Sequence, residues 1–217
     1  MIRYNVISTG SQGNATVIND SILIDCGVSF KALKSVYKSL KIVLLTHIHT
    51  DHFKYSTIAK LSCERPTLRF ACCEWIVDNL VKCGVEKKNI DVFDIGKVYR
   101  YTDFKVVPVK LYHNVPNCGY KIYFGKEKMF YATDTGTLEG ITAKNYDLYM
   151  VEANYTEEEM HERIQKKEEQ GIYPYEYEVM KNHLSRAKCD NFIYSNAGSY
   201  SEYVYMHQHR EKGSGLL

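Results

Sequence analysis

The segment Thr46-His47-Ile48-His49-Thr50-Asp51-His52 concentrates imidazoles and a carboxylate within one short stretch. At this histidine and aspartate content, chance gives the H-x-H-x-D-H spacing about 5 × 10⁻⁴ times per chain. Alternate residues of an extended segment project to one side, so His47 and His49 can chelate one cation, while Asp51 and His52, one turn on, can face a second. Imidazole together with carboxylate suits a borderline divalent ion. Zinc is expected, with manganese or iron as competitors.

A site for two cations needs more donors, and the chain places them where predicted elements end. His113 follows a strand, Asp134 follows Phe130-Tyr131-Ala132-Thr133, and His183 stands in Asn182-His183-Leu184-Ser185 just before a helix. A bridging Asp134 would give His47, His49, His113 and Asp134 to one cation, and Asp51, His52, Asp134 and His183 to the other. Two such cations lower the pKa of a shared water, so that hydroxide is available at neutral pH for in-line attack on a phosphodiester. Asp51 is also placed to orient that hydroxide and receive its proton. His207 and His209 alternate in Met206-His207-Gln208-His209, so both can face one way, as a leaving-group acid or a phosphate contact. His161 belongs to the charged run Glu157-Glu158-Glu159-Met160-His161-Glu162-Arg163 and reads as a solvated helical residue.

The elements that must position these residues alternate between the two periods. Strands are predicted over 4–8, 15–18, 22–25, 42–45, 68–72, 90–93, 98–101, 104–111, 120–124, 129–132, 148–152 and 203–206. Helices are predicted over 55–63, 74–82, 157–169 and 185–196, and another near 30–40, where Phe30, Leu33, Tyr37 and Leu40 recur at helical spacing. There Lys31, Lys34, Lys38 and Lys41 form a basic stripe that reads first as a solvated face and second as a nucleic-acid guide. The turn-rich Ser8-Thr9-Gly10-Ser11-Gln12-Gly13-Asn14 is either a plain hairpin turn or a loop presenting N–H groups to phosphate. The β-rich, helix, β-rich, helix order predicts two sheets between helical layers, in a single domain over 1–217.

Composition sets the outer limits. The chain has 217 residues, 45% hydrophobic and 25% charged, which excludes a disordered or fibrous chain. No apolar run approaches a bilayer span, and the first residues read straight into a strand rather than a signal peptide, so a cytoplasmic protein without membrane contact is expected. Seven cysteines without C-x-x-C spacing read as reduced core thiols rather than a disulfide framework. The 19 tyrosines read mainly as sheet and core material, and only secondarily as base-stacking groups. A net charge of +2 leaves the substrate open, and the oligomeric state is not set, a homodimer being allowed.

Taken in order, Ile24-Asp25-Cys26-Gly27, the H-x-H-x-D-H block, His113, Thr133-Asp134-Thr135-Gly136 and Asn182-His183-Leu184-Ser185 resemble the successive motifs of the metallo-β-lactamase superfamily. The resemblance spans nearly the whole chain. It implies a four-layer αββα sandwich with the metal site at the edge of the two sheets, assigns the seven ligands His47, His49, Asp51, His52, His113, Asp134 and His183, and makes Asp25 a support of the histidine loop. The Ser8–Asn14 loop and Glu152-Ala153-Asn154-Tyr155 are more narrowly similar to the small bacterial branch of metal-dependent 5′-exonucleases related to RNase Z, although that branch typically has glycine where Asn182 stands. Only 48 residues separate Asp134 from His183, too few for the extra domain of β-CASP nucleases. Flavodiiron-type reductases have glutamate where His49 stands, and many secreted β-lactamases use a cysteine ligand that is missing here.

The expectation is therefore a dinuclear-metal hydrolase, a phosphodiesterase or nuclease acting on nucleic acid or a nucleotide. The rivals are a cyclic or small nucleotide phosphodiesterase, a lactone or thioester hydrolase, and, outside enzymes, a silent metal-binding module.

Overall fold

The computed structural model describes residues 1–208. His209 lies outside them. Twelve strands form two six-stranded sheets. The first contains β1 (Tyr4–Ser8), β2 (Ala15–Ile18), β3 (Ile22–Ile24), β4 (Ile42–Leu44), β5 (Arg69–Cys73) and β6 (Ile90–Phe93), in sequence order across the sheet. The second contains β7 (Tyr99–Arg100), β8 (Lys105–Leu111), β9 (Asn117–Phe124), β10 (Glu127–Ala132), β11 (Leu148–Glu152) and β12 (Glu202–Met206), with β12 and β7 at its edges.

The sandwich follows from two-residue periodicity on strands that are apolar on both faces. In β4, Ile42 and Leu44 enter the core between the sheets, while Val43 faces the helical layer. In β10 and β11, Met129, Tyr131, Leu148 and Met150 point inward, and Phe130, Ala132, Tyr149 and Val151 point to the opposite layer. Helices α1 (Tyr55–Glu64) and α2 (Glu74–Lys82) cover the first sheet through Ile58, Leu61, Ile76 and Leu80. The second sheet is covered by α5 (Arg186–Asn196), through Cys189, Phe192 and Ile193. Helix, sheet, sheet, helix is the four-layer αββα order.

Two further helices, α3 (Glu157–Glu169) and α4 (Glu176–Asn182), pack on each other through a small cluster of Met160, Ile164, Val179 and Met180. The sequence reading missed α4, because it has no fully buried residue and hence no apolar stripe to betray it. The helix predicted near 30–40 is instead a 3₁₀ turn over Phe30–Leu33 followed by turns. The Arg65 guanidinium donates to the carbonyls of Tyr37, Lys38 and Leu40 at 2.6, 2.5 and 2.9 Å, engaging acceptors that a helix would have used itself. The lysine stripe therefore does not lie on one helical face, and Lys41 pairs with Asp103 at 2.9 Å. Replacing Arg65 by Ala removes the donor from the part-buried carbonyls of Tyr37 and Leu40. The expected cost is about 1–3 kcal/mol in a urea unfolding series, and a midpoint equal to that of the native chain would contradict it.

Six of the seven cysteines are buried, Cys63 is exposed, and all are free thiols. Among the described residues no helix is long and apolar enough to cross a membrane.

Candidate metal centre

Strand direction gathers the site at one rim. β8 and β10 both pair antiparallel with β9, and β10, β11 and β12 pair in parallel, so these four strands run the same way. Their C-terminal ends carry His113, Asp134, Glu152 and His207. β3 and β4, parallel to each other, bring Asp25 and the 47–52 loop.

Asp25 organises that loop from beneath. Its carboxylate accepts from the Thr46 amide at 3.0 Å, the Thr46 hydroxyl at 2.9 Å and His52 Nδ1 at 2.7 Å. Fixing a proton on Nδ1 leaves His52 Nε2 free to face the site. The neighbouring Cys26-Gly27 segment clamps the far end of the loop, with Cys26 N donating to His52 O at 2.8 Å. A Cβ at Gly27 would overlap the Asp51 carbonyl, and one at Gly136 would overlap that of Lys181. Glycine is required at both for close backbone approach.

Three site residues, Asp25, Asp134 and His207, adopt left-handed backbone conformations, with φ of +60°, +56° and +51°. All three follow strand ends. Non-glycine residues held there cost about 1–3 kcal/mol each, so the surrounding contacts must impose the geometry.

The donors form overlapping groups whose ligand atoms lie within 4.8 Å of one another: His47, His49 and His113; His47, His52 and Asp134; Asp51, His52 and His207; and Asp134, Glu152, His183 and His207. His113 donates from Nδ1 to Asn182 O at 2.9 Å, and its Nε2 approaches His49 Nδ1 to 3.2 Å. All seven residues expected as ligands are brought together. The sorting of the last two histidines differs from the sequence reading, because His207, rather than His183, groups with Asp51 and His52. Glu152 holds His183 back through a 2.7 Å bond from Nδ1, while the His207 amide donates to Thr9 Oγ1 at 2.7 Å and Asn154 Nδ2 contacts both its Nδ1 and its carbonyl. The rings of His183 and His207 stack at 5.3 Å with 6° between planes.

The electrostatics are those of a site built for positive charge. Burial lowers the pKa values of His47, His49 and His113, favouring the neutral, ligating imidazole. For His52 burial also opposes charge, but Asp134 and Asp25 outweigh it and bring the value up to about 10. Burial is likewise outweighed at His207, chiefly by Asp134, and at His183 by Glu152. Asp134 would be raised by burial, yet His207 and His52 hold it well below the carboxylate range. Buried carboxylates thus retain protons on neighbouring imidazoles, positions for which divalent cations compete.

The residues fit such ions on a second count. His47 Nε2 and Asp134 Oδ2 are buried without a hydrogen-bond partner. Asp134 Oδ2 lies only 2.8 Å from His52 Nε2, but the approach lacks the alignment of a hydrogen bond. His47 and Asp134 fall with His52 in one group whose ligand atoms lie within 4.8 Å of one another, close enough to share an ion.

Residues 20–178 match the family described as the β-lactamase superfamily domain. The chain belongs to the metallo-β-lactamase superfamily. No curated protein matches it by sequence. Among solved structures, the metallo-β-lactamase-fold protein YhfI from Bacillus subtilis is similar at a TM-score of 0.74 and 18% identity, over 95% of this chain and 86% of that one. The short form of human tRNase Z follows at 0.71 and 15%, over 97% and 93%, and a diphosphatase of the PhnP family at 0.67 and 16%, over 100% and 93%. The superfamily consists of metal-dependent hydrolases, and the rim residues of this member could bind a metal.

Residue-by-residue reading of the sequence did not single out Glu152 or Asn14. Glu152 is fully buried, and besides its histidines it accepts from the amides of Thr135 and Leu184 at 2.9 and 3.2 Å. Its signal was an acid closing the apolar run Leu148-Tyr149-Met150-Val151. Asn14, also fully buried, contacts His52 Nε2 at 2.8 Å and the Asp51 carbonyl at 3.2 Å. It also accepts from Gly10 N at 2.9 Å, and Gly13 N donates to Gly10 O at 2.9 Å. The Gly10 and Gly13 amides are thus engaged within the loop, as in the hairpin-turn alternative.

Proposed function

We propose that this member of the superfamily is a phosphodiesterase that holds two divalent cations, zinc foremost and manganese as an alternative, and cleaves nucleic acid in the cytoplasm. The observation that carries the reading is the position of Asp134, which shares one donor group with His47 and His52 and another with Glu152, His183 and His207, the ligand atoms of each lying within 4.8 Å of one another. One cation would take His47, His49, His113 and Asp134. The other would take Asp51, His52, His207 and Asp134. Cations so held supply charge to polarise a phosphoryl group and to activate water.

The chain's own groups supply the rest. Asp51, with its side chain 23% exposed, is the carboxylate able to orient attacking water and take its proton. Glu152 orients His183, whose Nε2 is then free to protonate a departing oxygen. Two of the similar folds, a tRNase Z and a diphosphatase, support a phosphate-centred substrate.

Elemental analysis after gentle purification and dialysis against zinc is expected to find about two ions per chain. Saturation at one ion would overturn the dinuclear arrangement. Oligonucleotides are expected to be degraded. If they stay intact while a cyclic mononucleotide is opened, the substrate is a small nucleotide instead.

A further inference from the structure

Asn117, the first residue of β9, is buried and plays no part in the cation chemistry described above. Its side chain nevertheless ends at the turn that carries Asp134. The carboxamide nitrogen Nδ2 donates to the carbonyls of Thr133 and Asp134 at 3.0 and 2.7 Å. In a strand successive carbonyls point to opposite sides, so one NH2 group can take two in a row only where the chain leaves the strand pattern. Asp134 does so, at φ +56°.

The direction of the carboxamide follows from its own atoms. Half a turn about its axis would set Oδ1 against the same two carbonyls, acceptor facing acceptor. As placed, Oδ1 is buried and has no hydrogen-bond partner among the described residues. A buried orphan acceptor is unfavourable, and what the side chain gains against it is the hold on residues 133 and 134. Both peptide planes beside the Asp134 Cα are thereby pinned. Asn117 takes the Thr133 carbonyl of the first plane and the Asp134 carbonyl of the second, and the N–H of that second plane, at Thr135, donates to Glu152 Oε2 at 2.9 Å. Fixing the two planes fixes φ and ψ, and hence the direction in which the carboxylate leaves the backbone.

We propose that Asn117 is a positioning residue, whose carboxamide holds Asp134 in the left-handed conformation that aims its carboxylate at the cations, without itself touching an ion. This rests on the cation-binding part of the reading above and is independent of the substrate. It also explains how a conformation unfavourable for a residue other than glycine persists at this turn.

The test measures zinc affinity of the full chain by competition with a chromogenic chelator, and urea unfolding of the same proteins in excess EDTA. Asn117→Leu keeps the branched shape and removes both donors, and Asn117→Ala removes the group without any possible clash. Each is expected to weaken zinc binding by about 10–100-fold, the usual effect of losing a ligand's outer support. Ile122→Val, in the core of the same strand, should lower the urea midpoint yet leave zinc affinity unchanged. The deciding comparison is with Asp134→Asn. If Asn117 acts through Asp134, its substitution should cost less than about twofold further affinity in the Asp134→Asn background, because one interaction cannot be lost twice. In the native chain, scalar couplings across hydrogen bonds from Asn117 Nδ2 to the Thr133 and Asp134 carbonyl carbons check the contact without any substitution. Native zinc affinity in both Asn117 variants, a full loss persisting in the Asp134→Asn background, or absence of the couplings overturns the positioning role. A native chain that binds no zinc removes the cation reading and this role with it. Weakened, coupled zinc binding in a protein that cleaves no phosphodiester leaves Asn117 assigned and removes the phosphodiesterase reading alone.

Discussion

Asp134→Ala is expected to lower phosphodiester hydrolysis by about 10³-fold or more, since the charge stabilisation at stake is several kcal/mol and each 1.4 kcal/mol is tenfold. The size follows from position. Asp134 is the carboxylate that falls into two donor groups, whereas His49 falls into one, so on the proposed two-cation arrangement its loss would weaken both sites together. Its backbone also sits in the left-handed region at φ +56°, which alanine tolerates less well than aspartate. A second variant, Asp134→Asn, keeps the shape and hydrogen-bonding reach while removing the charge. Both should bind fewer zinc ions by elemental analysis, with far-ultraviolet circular dichroism unchanged. Near-native turnover in Asp134→Asn would show that no cation depends on this carboxylate.

The parts of this site that the sequence exposes are those that form a pattern along the chain. His47, His49, Asp51 and His52 are close neighbours on one loop, and a loop leaving a buried strand is read from Ile42-Val43-Leu44-Leu45 without tertiary information. The layered fold is similarly legible, because strands apolar on both faces demand a layer on each side. What is illegible is the choice between donors that arrive from distant elements. His183 follows the polar α4 and His207 follows β12, and contacts from distant elements decide how each ring turns: the Glu152 carboxylate, which bonds His183 at 2.7 Å and stands 3.3 Å from His207 Nδ1, and Asn154, which reaches the same His207 nitrogen at 3.0 Å. The missing helix near 30–40 has the same cause. The apolar spacing of Phe30, Leu33, Tyr37 and Leu40 is helical, but three carbonyls are taken by Arg65 from another element, and local periodicity cannot anticipate a partner that far along the chain.

The proposed division of labour between His207 and His183 carries the second large effect. His183 has a side chain 18% exposed and His207 one only 6% exposed, so His183 is the ring open to a departing group. If its Nε2 protonates the leaving oxygen, His183→Ala should slow release of a nucleotide alkoxide by about 10²–10⁴-fold, the usual worth of a positioned acid. A 4-nitrophenolate leaves without a proton, so hydrolysis of bis(4-nitrophenyl) phosphate by the same variant should fall by less than about tenfold. Glu152→Gln, which keeps the packing but no longer holds the ring by charge, should show the same leaving-group dependence more weakly, and also lower zinc affinity by about 10–100-fold, as removal of a ligand's hydrogen-bond partner commonly does. A cation ligand behaves differently. His207→Ala should depress both substrates in parallel, together with bound zinc, because the charge at the phosphoryl group is lost whatever the leaving group. Parallel losses in His183→Ala, accompanied by loss of one equivalent of zinc, would return His183 to the cation and make His207 the acid, on an otherwise unchanged rim.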